Sequence, residues 1–213
     1  MHVKDWLKSR LPRAAWEYLR RGYYRLQGRF TGETSKARRR RVREGFFERY
    51  CRGKGIDIGY GYDKLTRKCL GWDIQHGDAQ YMRGVPDNSF DFVYSSHTLE
   101  HMSDPVAALT NWWRITKPGG YLILFVPDRD LYEKKATLPS RWNPDHRHFF
   151  QIERDDPPDT IGLIPLIHRA IAKPVILLAK VCSEGNSISD PEVHSNGEYS
   201  IEVVLLKPPE ALH

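Results

Sequence analysis

The chain reads as an α/β fold built on a mainly parallel sheet, and three observations predict it. From Gly55 onward, short apolar runs alternate with helical segments, the pattern of strands joined by crossover helices. The first run, Gly55-Ile56-Asp57-Ile58, passes directly into the glycine turn Gly59-Tyr60-Gly61, as a buried strand does at the ligand end of a doubly wound sheet. A helix further on has both ends written in sequence: Asp104 at the N-cap, Pro105 at the first helical position, and Pro118-Gly119-Gly120 as the stop.

Residues 1–50 read as a basic helical extension and residues 51–213 as the sheet domain. In the extension, Leu7, Leu11, Ala14, Tyr18 and Gly22 recur at helical spacing and predict a helix over 4–27, its first turns weakened by Pro12. Trp6, Trp16, Tyr23 and Tyr24 give that helix aromatic bulk, suited either to an interface or to packing on the body. A turn-rich break over 28–35 precedes a second basic helix over 36–50, ended by Gly53. Strands are predicted at 55–58, 72–74, 90–94 and 121–126, and Val106, Leu109, Trp113 and Thr116 mark the helical repeat between the last two. After a loop region over 127–158 come a helix over 160–172 and strands over 174–181 and 199–207. The stretch 161–181 is about as long as a membrane span. It contains His168, Arg169 and Lys173, and inserting a central Arg or Lys costs roughly 2.5–3.5 kcal/mol. A short helix followed by a buried strand is therefore expected there.

At 213 residues, 40% hydrophobic and 28% charged, the chain can build one full core with an appendage and is not a disordered or disulfide-stapled polypeptide. Its net charge of +6 is unevenly placed: residues 1–45 hold 14 basic and four acidic residues, a net +10, so the rest is mildly acidic at −4. Cys51, Cys69 and Cys182 are widely spaced and form no C-x-x-C pair, which predicts free thiols in a cytoplasmic protein. Lys4, Asp5, Lys8 and Arg10 interrupt any apolar run of the kind a secretory signal needs.

Taken alone, the glycine turn is a weak signature, and the dinucleotide fingerprint fails because Lys64 stands where its third glycine belongs. Five motifs in order say more: Asp57-Ile58-Gly59-Tyr60-Gly61; Trp72-Asp73-Ile74; Gly77-Asp78-Ala79; the block from Asp87 to His101; and Lys117-Pro118-Gly119-Gly120 within its flanking residues. Over residues 53–128 this series resembles the class I S-adenosylmethionine-dependent methyltransferases, in particular the type 11 branch. The resemblance implies a Rossmann-like sheet, mostly parallel with a C-terminal antiparallel strand, and S-adenosylmethionine as cofactor. It implies that the backbone of Gly59, Tyr60 and Gly61 meets the methionine end of the cofactor, with Asp57 near its ammonium. Asp73, followed by Ile74, would accept bonds from the ribose hydroxyls, since an ionised carboxylate is acceptor-only. Asp78 and Ala79 would meet the adenine edge, and Ser96 or His97 would line the methyl-transfer face.

The spacing departs from the family pattern. Asp73 follows Gly61 by 12 residues and Asp78 follows Asp73 by five, too few for the usual crossover helix and intervening β/α unit. The sheet is therefore expected to be trimmed at its second/third-strand edge.

Methyl transfer from a sulfonium is an in-line displacement in which alignment supplies much of the rate. A hydroxyl acceptor also calls for a base titrating near neutrality, usually His. His97 and His101 follow the predicted third strand, and His146 and His148 lie in Pro144-Asp145-His146-Arg147-His148-Phe149-Phe150. His146 is the predicted base, with Asp145 orienting it, and His97 is the second candidate. The structural alternative has Asp145 capping a helix at Phe149 and His146 packing on the phenylalanines. Asp128, Asp145, His146 and His148 match no metal-ligand spacing, so no metal is predicted.

Three functional readings follow. The first is methylation of a hydroxyl on a sugar, a lipid-linked glycan or another small acceptor, with the N-terminal helix permitting peripheral membrane contact. The second is an RNA methyltransferase using the basic arm to neutralise phosphates. The third is a cofactor-binding protein without catalysis.

Overall fold

The computed structural model describes residues 32–61 and 63–209. The predicted helix over 4–27, and with it any membrane contact through that helix, lies outside the described residues. A compact unit begins at Glu33, so residues 33–50, read from sequence as part of the extension, share a unit with the sheet. They form three short helices, α1 (Glu33–Lys36), α2 (Arg38–Arg43) and α3 (Phe46–Tyr50). The single helix predicted there is broken at Gly45, which takes φ +65°.

Six strands follow in one sheet: β1 (Gly55–Ile58), β2 (Leu70–Trp72), β3 (Phe90–Ser96), β4 (Thr116–Pro127), β7 (Val175–Cys182) and β8 (Ser200–Leu206). Their order is β2-β1-β3-β4-β8-β7, with β2, β1, β3 and β4 mutually parallel and β8 antiparallel to both β4 and β7. The trimmed edge is present. No helix is assigned among the described residues between β1 and β2, and between β2 and β3 there is only a 3-10 turn, Ile74–His76, with no strand.

Period-two alternation sends neighbouring side chains to opposite faces. Val93, Leu122, Leu124, Ile201 and Val203 pack with Leu109 and Trp112 of α4 (Pro105–Ile115) and with Leu166 and Ile167 of α5 (Leu163–Ala170). Phe92, Tyr94, Ile123, Phe125 and Val204 pack on the other side with Ala37 and Phe46. Phe90 breaks the alternation and joins the α4 side, because β3 is bulged between Phe90 and Phe92. The helix α4 starts as its sequence predicts: Asp104 accepts a bond from the Ala107 N–H at 2.9 Å, and Pro105 opens the first turn.

Three sequence readings need correction. The helix expected over 160–172 begins only at Leu163, because Thr160–Gly162 forms β6, paired in parallel with β5 (Phe149–Gln151). The strand at 70–72 sits two residues before its predicted place, leaving Asp73 and Ile74 just beyond its end. β7 is not buried: it is the sheet edge, with Val175, Leu177 and Val181 about 40% exposed. Among the described residues no helix is long and apolar enough to cross a membrane.

Candidate active site

The parallel strands deliver their C-terminal ends to one rim. β1 leaves Ile58 into Gly59 at φ +72°, whose N–H donates to the Trp72 carbonyl at 2.8 Å and so fastens the turn to β2. A Cβ on Gly59 would fall 1.9 Å from Thr98 Oγ1, so glycine here admits the loop that follows β3. Gly61, at φ +52°, has nothing within 4 Å of the place a Cβ would take, and its N–H donates to Asp73 Oδ2 at 3.1 Å. The other Asp73 oxygen accepts from the Ile74 N–H at 2.8 Å and caps the 3-10 turn. Ile74 is 85% exposed beside it, and the Tyr60 ring lies over the backbone of Gly71.

Asp57 is fully buried. One carboxylate oxygen accepts from the Leu65 N–H at 2.7 Å, and the other has no hydrogen-bond partner. Burial, with the Asp63 charge adding to it, pushes its carboxyl up to about 8. Asp78 is exposed and accepts from the Gln80 N–H at 2.8 Å, while the Ala79 carbonyl receives the Trp112 indole N–H at 2.8 Å.

β3 ends at Ser96, and the backbone then carries His97 at φ +47° and a 3-10 turn, Leu99–His101. His97 Nε2 lies 2.8 Å from Ser200 Oγ on β8, and its ring meets Tyr199 edge-on with centroids 6.0 Å apart. Burial and the neighbouring His146, Lys36 and His101 hold His97 well below the usual imidazole range, so it is neutral at pH 7. His146 is drawn to the same place from a distant loop, with its ring stacked on Tyr132 at 5.4 Å. Glu133 fixes its orientation, with Oε1 2.6 Å from His146 Nδ1, and Glu133 is held in turn by the Ser140 hydroxyl at 2.6 Å. Asp128 places Tyr132 and Glu133 by accepting the Asp130 and Leu131 N–H groups at 3.0 Å, starting a π-helical turn at Arg129–Glu133.

These contacts correct the predicted base machinery. Glu133 orients His146, whereas the Asp145 backbone carbonyl lies 3.0 Å from His101 Nδ1. No helix starts at Phe149, since β5 does. The set Asp128, Asp145, His146 and His148 is divided among separate tasks: Asp128 caps the π-helical turn and His148 donates to the Met102 carbonyl at 3.1 Å. Sequence reading passed over Glu133, Tyr132, Ser200 and Glu100. Only Glu100 carried a signal, its place in His97-x-x-Glu100-His101.

A sheet of this order, with a glycine turn tied to an acid just past the second strand, defines the class I methyltransferase fold. The family model described as a methyltransferase domain matches residues 39–124. The ubiquinone/menaquinone biosynthesis C-methyltransferase UbiE of Teredinibacter turnerae is 35% identical over 85 residues, 38% of this chain and 34% of that protein. An uncharacterized methyltransferase of Schizosaccharomyces pombe is 52% identical over 42 residues, 20% of this chain and 15% of that protein. The chain spans about a third or less of the length of the curated relatives it matches. A crystal structure of a SAM-dependent methyltransferase from Archaeoglobus fulgidus superposes with a TM-score of 0.50 at 17% identity, over 86% of this chain and 98% of that one. A structure described for the conversion of a disulfide bond into a thioacetal group in echinomycin biosynthesis gives 0.53 at 14% identity, over 80% and 81%. At such identities the likeness to the solved structures is one of fold. Residues 39–124 thus carry a methyltransferase domain on a class I methyltransferase fold, a class whose cofactor is S-adenosylmethionine.

Proposed function

We propose that this protein transfers the methyl group of S-adenosylmethionine to an acceptor hydroxyl, on a sugar or a lipid-linked glycan. The observation that carries the reading is the bond from the Gly61 N–H to Asp73, which joins the glycine turn and the acid after β2 into one rim. The residues present fit the cofactor. Each Asp73 oxygen accepts one backbone N–H and keeps a lone pair for a ribose hydroxyl. The unpartnered oxygen of Asp57 suits the cofactor's ammonium, and exposed Ile74 offers an apolar surface to the purine. Gly61 leaves open space on the rim. Bound there, the cofactor supplies an electrophilic methyl group on a sulfonium.

The chain's own part in the chemistry is to hold the acceptor and take its proton. The His146 side chain is only 2% exposed, so His97, at 15% on the loop against the glycine turn, is the base within an acceptor's reach. Being neutral at pH 7, it is free to accept the proton. The basic run supports the RNA reading poorly, because Arg40 and Arg41 are buried in ion pairs with Glu198 and Glu202. A second reading, methylation at carbon, is favoured by the UbiE relative, which is named a C-methyltransferase.

The test is transfer of labelled methyl from S-adenosylmethionine into fractionated glycan, lipid and RNA pools, with calorimetry of cofactor binding alongside. Label in a glycan or lipid-linked glycan as a methyl ether supports the proposal, and a new carbon–carbon bond selects the second reading. Asp73→Ala removes hydrogen bonds to a charged acceptor worth about 1.5–3 kcal/mol, so cofactor affinity should fall roughly 10- to 100-fold. Unchanged affinity would overturn the cofactor assignment.

A further inference from the structure

Glu100 is fully buried, and neither of its carboxylate oxygens has a hydrogen-bond partner. Such a group is costly unless something positively charged meets it. What surrounds it is imidazole: His146 Nε2 lies 3.8 Å, His101 Nε2 3.9 Å and His97 Nδ1 3.8 Å from Glu100 Oε1. All three separations are too long for a hydrogen bond, so a proton shared within any one pair cannot satisfy the carboxylate.

The orientation of two of these rings is fixed from behind. His146 Nδ1 faces the Glu133 carboxylate at 2.6 Å and His101 Nδ1 faces the Asp145 carbonyl at 3.0 Å, and both partners can only accept. Each ring therefore donates from Nδ1 and turns its Nε2 edge toward Glu100. Two imidazole Nε2 atoms and a carboxylate thus converge on a common point. One ligand atom from each of Glu100, His101 and His146 can be chosen so that all lie within 4.8 Å of one another. A carboxylate or carbonyl behind each ligating imidazole is also how metal-binding histidines are held.

We propose that Glu100, His101 and His146 form a binding site for a divalent first-row transition-metal ion. Two imidazoles and a carboxylate are borderline ligands that suit zinc or ferrous iron rather than magnesium or calcium. Bonds of about 2.0–2.2 Å to each would require the ligands to close in slightly. The chain supplies three donors, which leaves further positions on the ion open. His101, with a side chain 29% exposed, forms the outer edge of the site. The adjoining loop packs Thr98 against Gly59, so the ion lies next to the cofactor turn. If the proposed hydroxyl transfer holds, an acceptor oxygen on an open position becomes more acidic, and its proton passes to His97. The metal site itself does not depend on that reading.

The test is titration of chelator-treated full-length protein with Co2+, read by visible d–d absorption, and with Zn2+ by competition. Binding of one equivalent per chain is expected, without the intense sulfur charge-transfer band that thiolate ligation would add. Glu100→Gln keeps the shape of the side chain and His101→Ala lies at the edge, and each should weaken binding at least tenfold. Glu133→Gln should cost about 10- to 100-fold as an outer partner. No stoichiometric uptake by the wild-type protein, or uptake unchanged in Glu100→Gln and His101→Ala, overturns the proposal. Calorimetry with S-adenosylhomocysteine on the same samples keeps the two readings apart: a chain that binds the nucleoside but no ion loses only the metal site.

Discussion

At the scale of the residue, glycine 59 and the acids around it divide the work of the rim. Gly59 combines a left-handed backbone with a contact that no side chain can share, since Thr98 occupies the Cβ position. Gly59→Ala therefore pays for both strain and overlap, each of which costs roughly 1–3 kcal/mol. A loss of at least about 2 kcal/mol in urea unfolding is expected, and a near-neutral result would show that the loop after β3 can shift away. Gly61→Ala meets no atoms, so its stability cost is the backbone strain alone, while its effect on cofactor affinity reports how closely the ligand approaches. That glycines belonged in this turn was legible from the strand running into it. Which glycine serves packing and which faces open space was not, because Thr98 lies 39 residues away in sequence.

At the scale of the element, the run Arg38-Arg39-Arg40-Arg41 shows how charge composition misleads. Sequence reading took it as part of a basic arm able to neutralise phosphates. In the fold, α2 covers one side of the sheet and sends Arg40 and Arg41 inward. Arg40 bonds Glu198 at 2.8 Å and Glu202 at 2.7 Å, and Arg41 bonds Glu202 at 2.7 Å and Tyr94 at 3.0 Å. Glu202 sits in the middle of β8, and its carboxyl, buried as it is, is held below the usual range by the two guanidiniums. Removing one partner of a buried pair costs about 3–5 kcal/mol, so Arg41→Leu should destabilise by that order. Arg39→Ala, at an exposed position, should stay within about 0.5 kcal/mol. Equal effects in chemical denaturation would mean that the run is a surface feature after all. Strands and the capped helix were legible because their signals are local: period, caps and glycine stops. The pairings Arg41–Glu202, His97–Ser200 and His146–Glu133 were not, since they join elements 161, 103 and 13 residues apart that only the tertiary fold brings together.

At the scale of the whole molecule, the buried carboxylate of Asp57 sets function against stability. Its pKa stands at about 8 in the folded chain and near 3.8 when exposed, so between those values the native state holds a proton that the unfolded state has released. Stability falls with pH wherever the native state binds more protons. The contribution of Asp57 is thus fully present below about pH 4 and is lost as pH rises through about 8. Other groups move with it or against it: Glu33 and Asp128 are raised by burial, whereas Asp91, held by Lys117, and Asp155, held by Arg169, are lowered. The shape of the total curve therefore does not isolate Asp57, but a comparison with Asp57→Asn does. The amide cannot ionise, so the variant should gain on the parent as pH rises across that window, by at most about 1.4 kcal/mol per pH unit. Urea midpoints for both proteins at pH 5, 6, 7 and 8 measure that difference, and parallel curves would show that Asp57 is ionised throughout. The same substitution removes the carboxyl that an arriving ammonium would ionise and pair with, so it should lower S-adenosylmethionine affinity while raising stability at neutral pH. A residue that destabilises the empty protein and strengthens its complex is what a ligand site produces, whereas a turn acid kept for structure would lose on both counts when replaced.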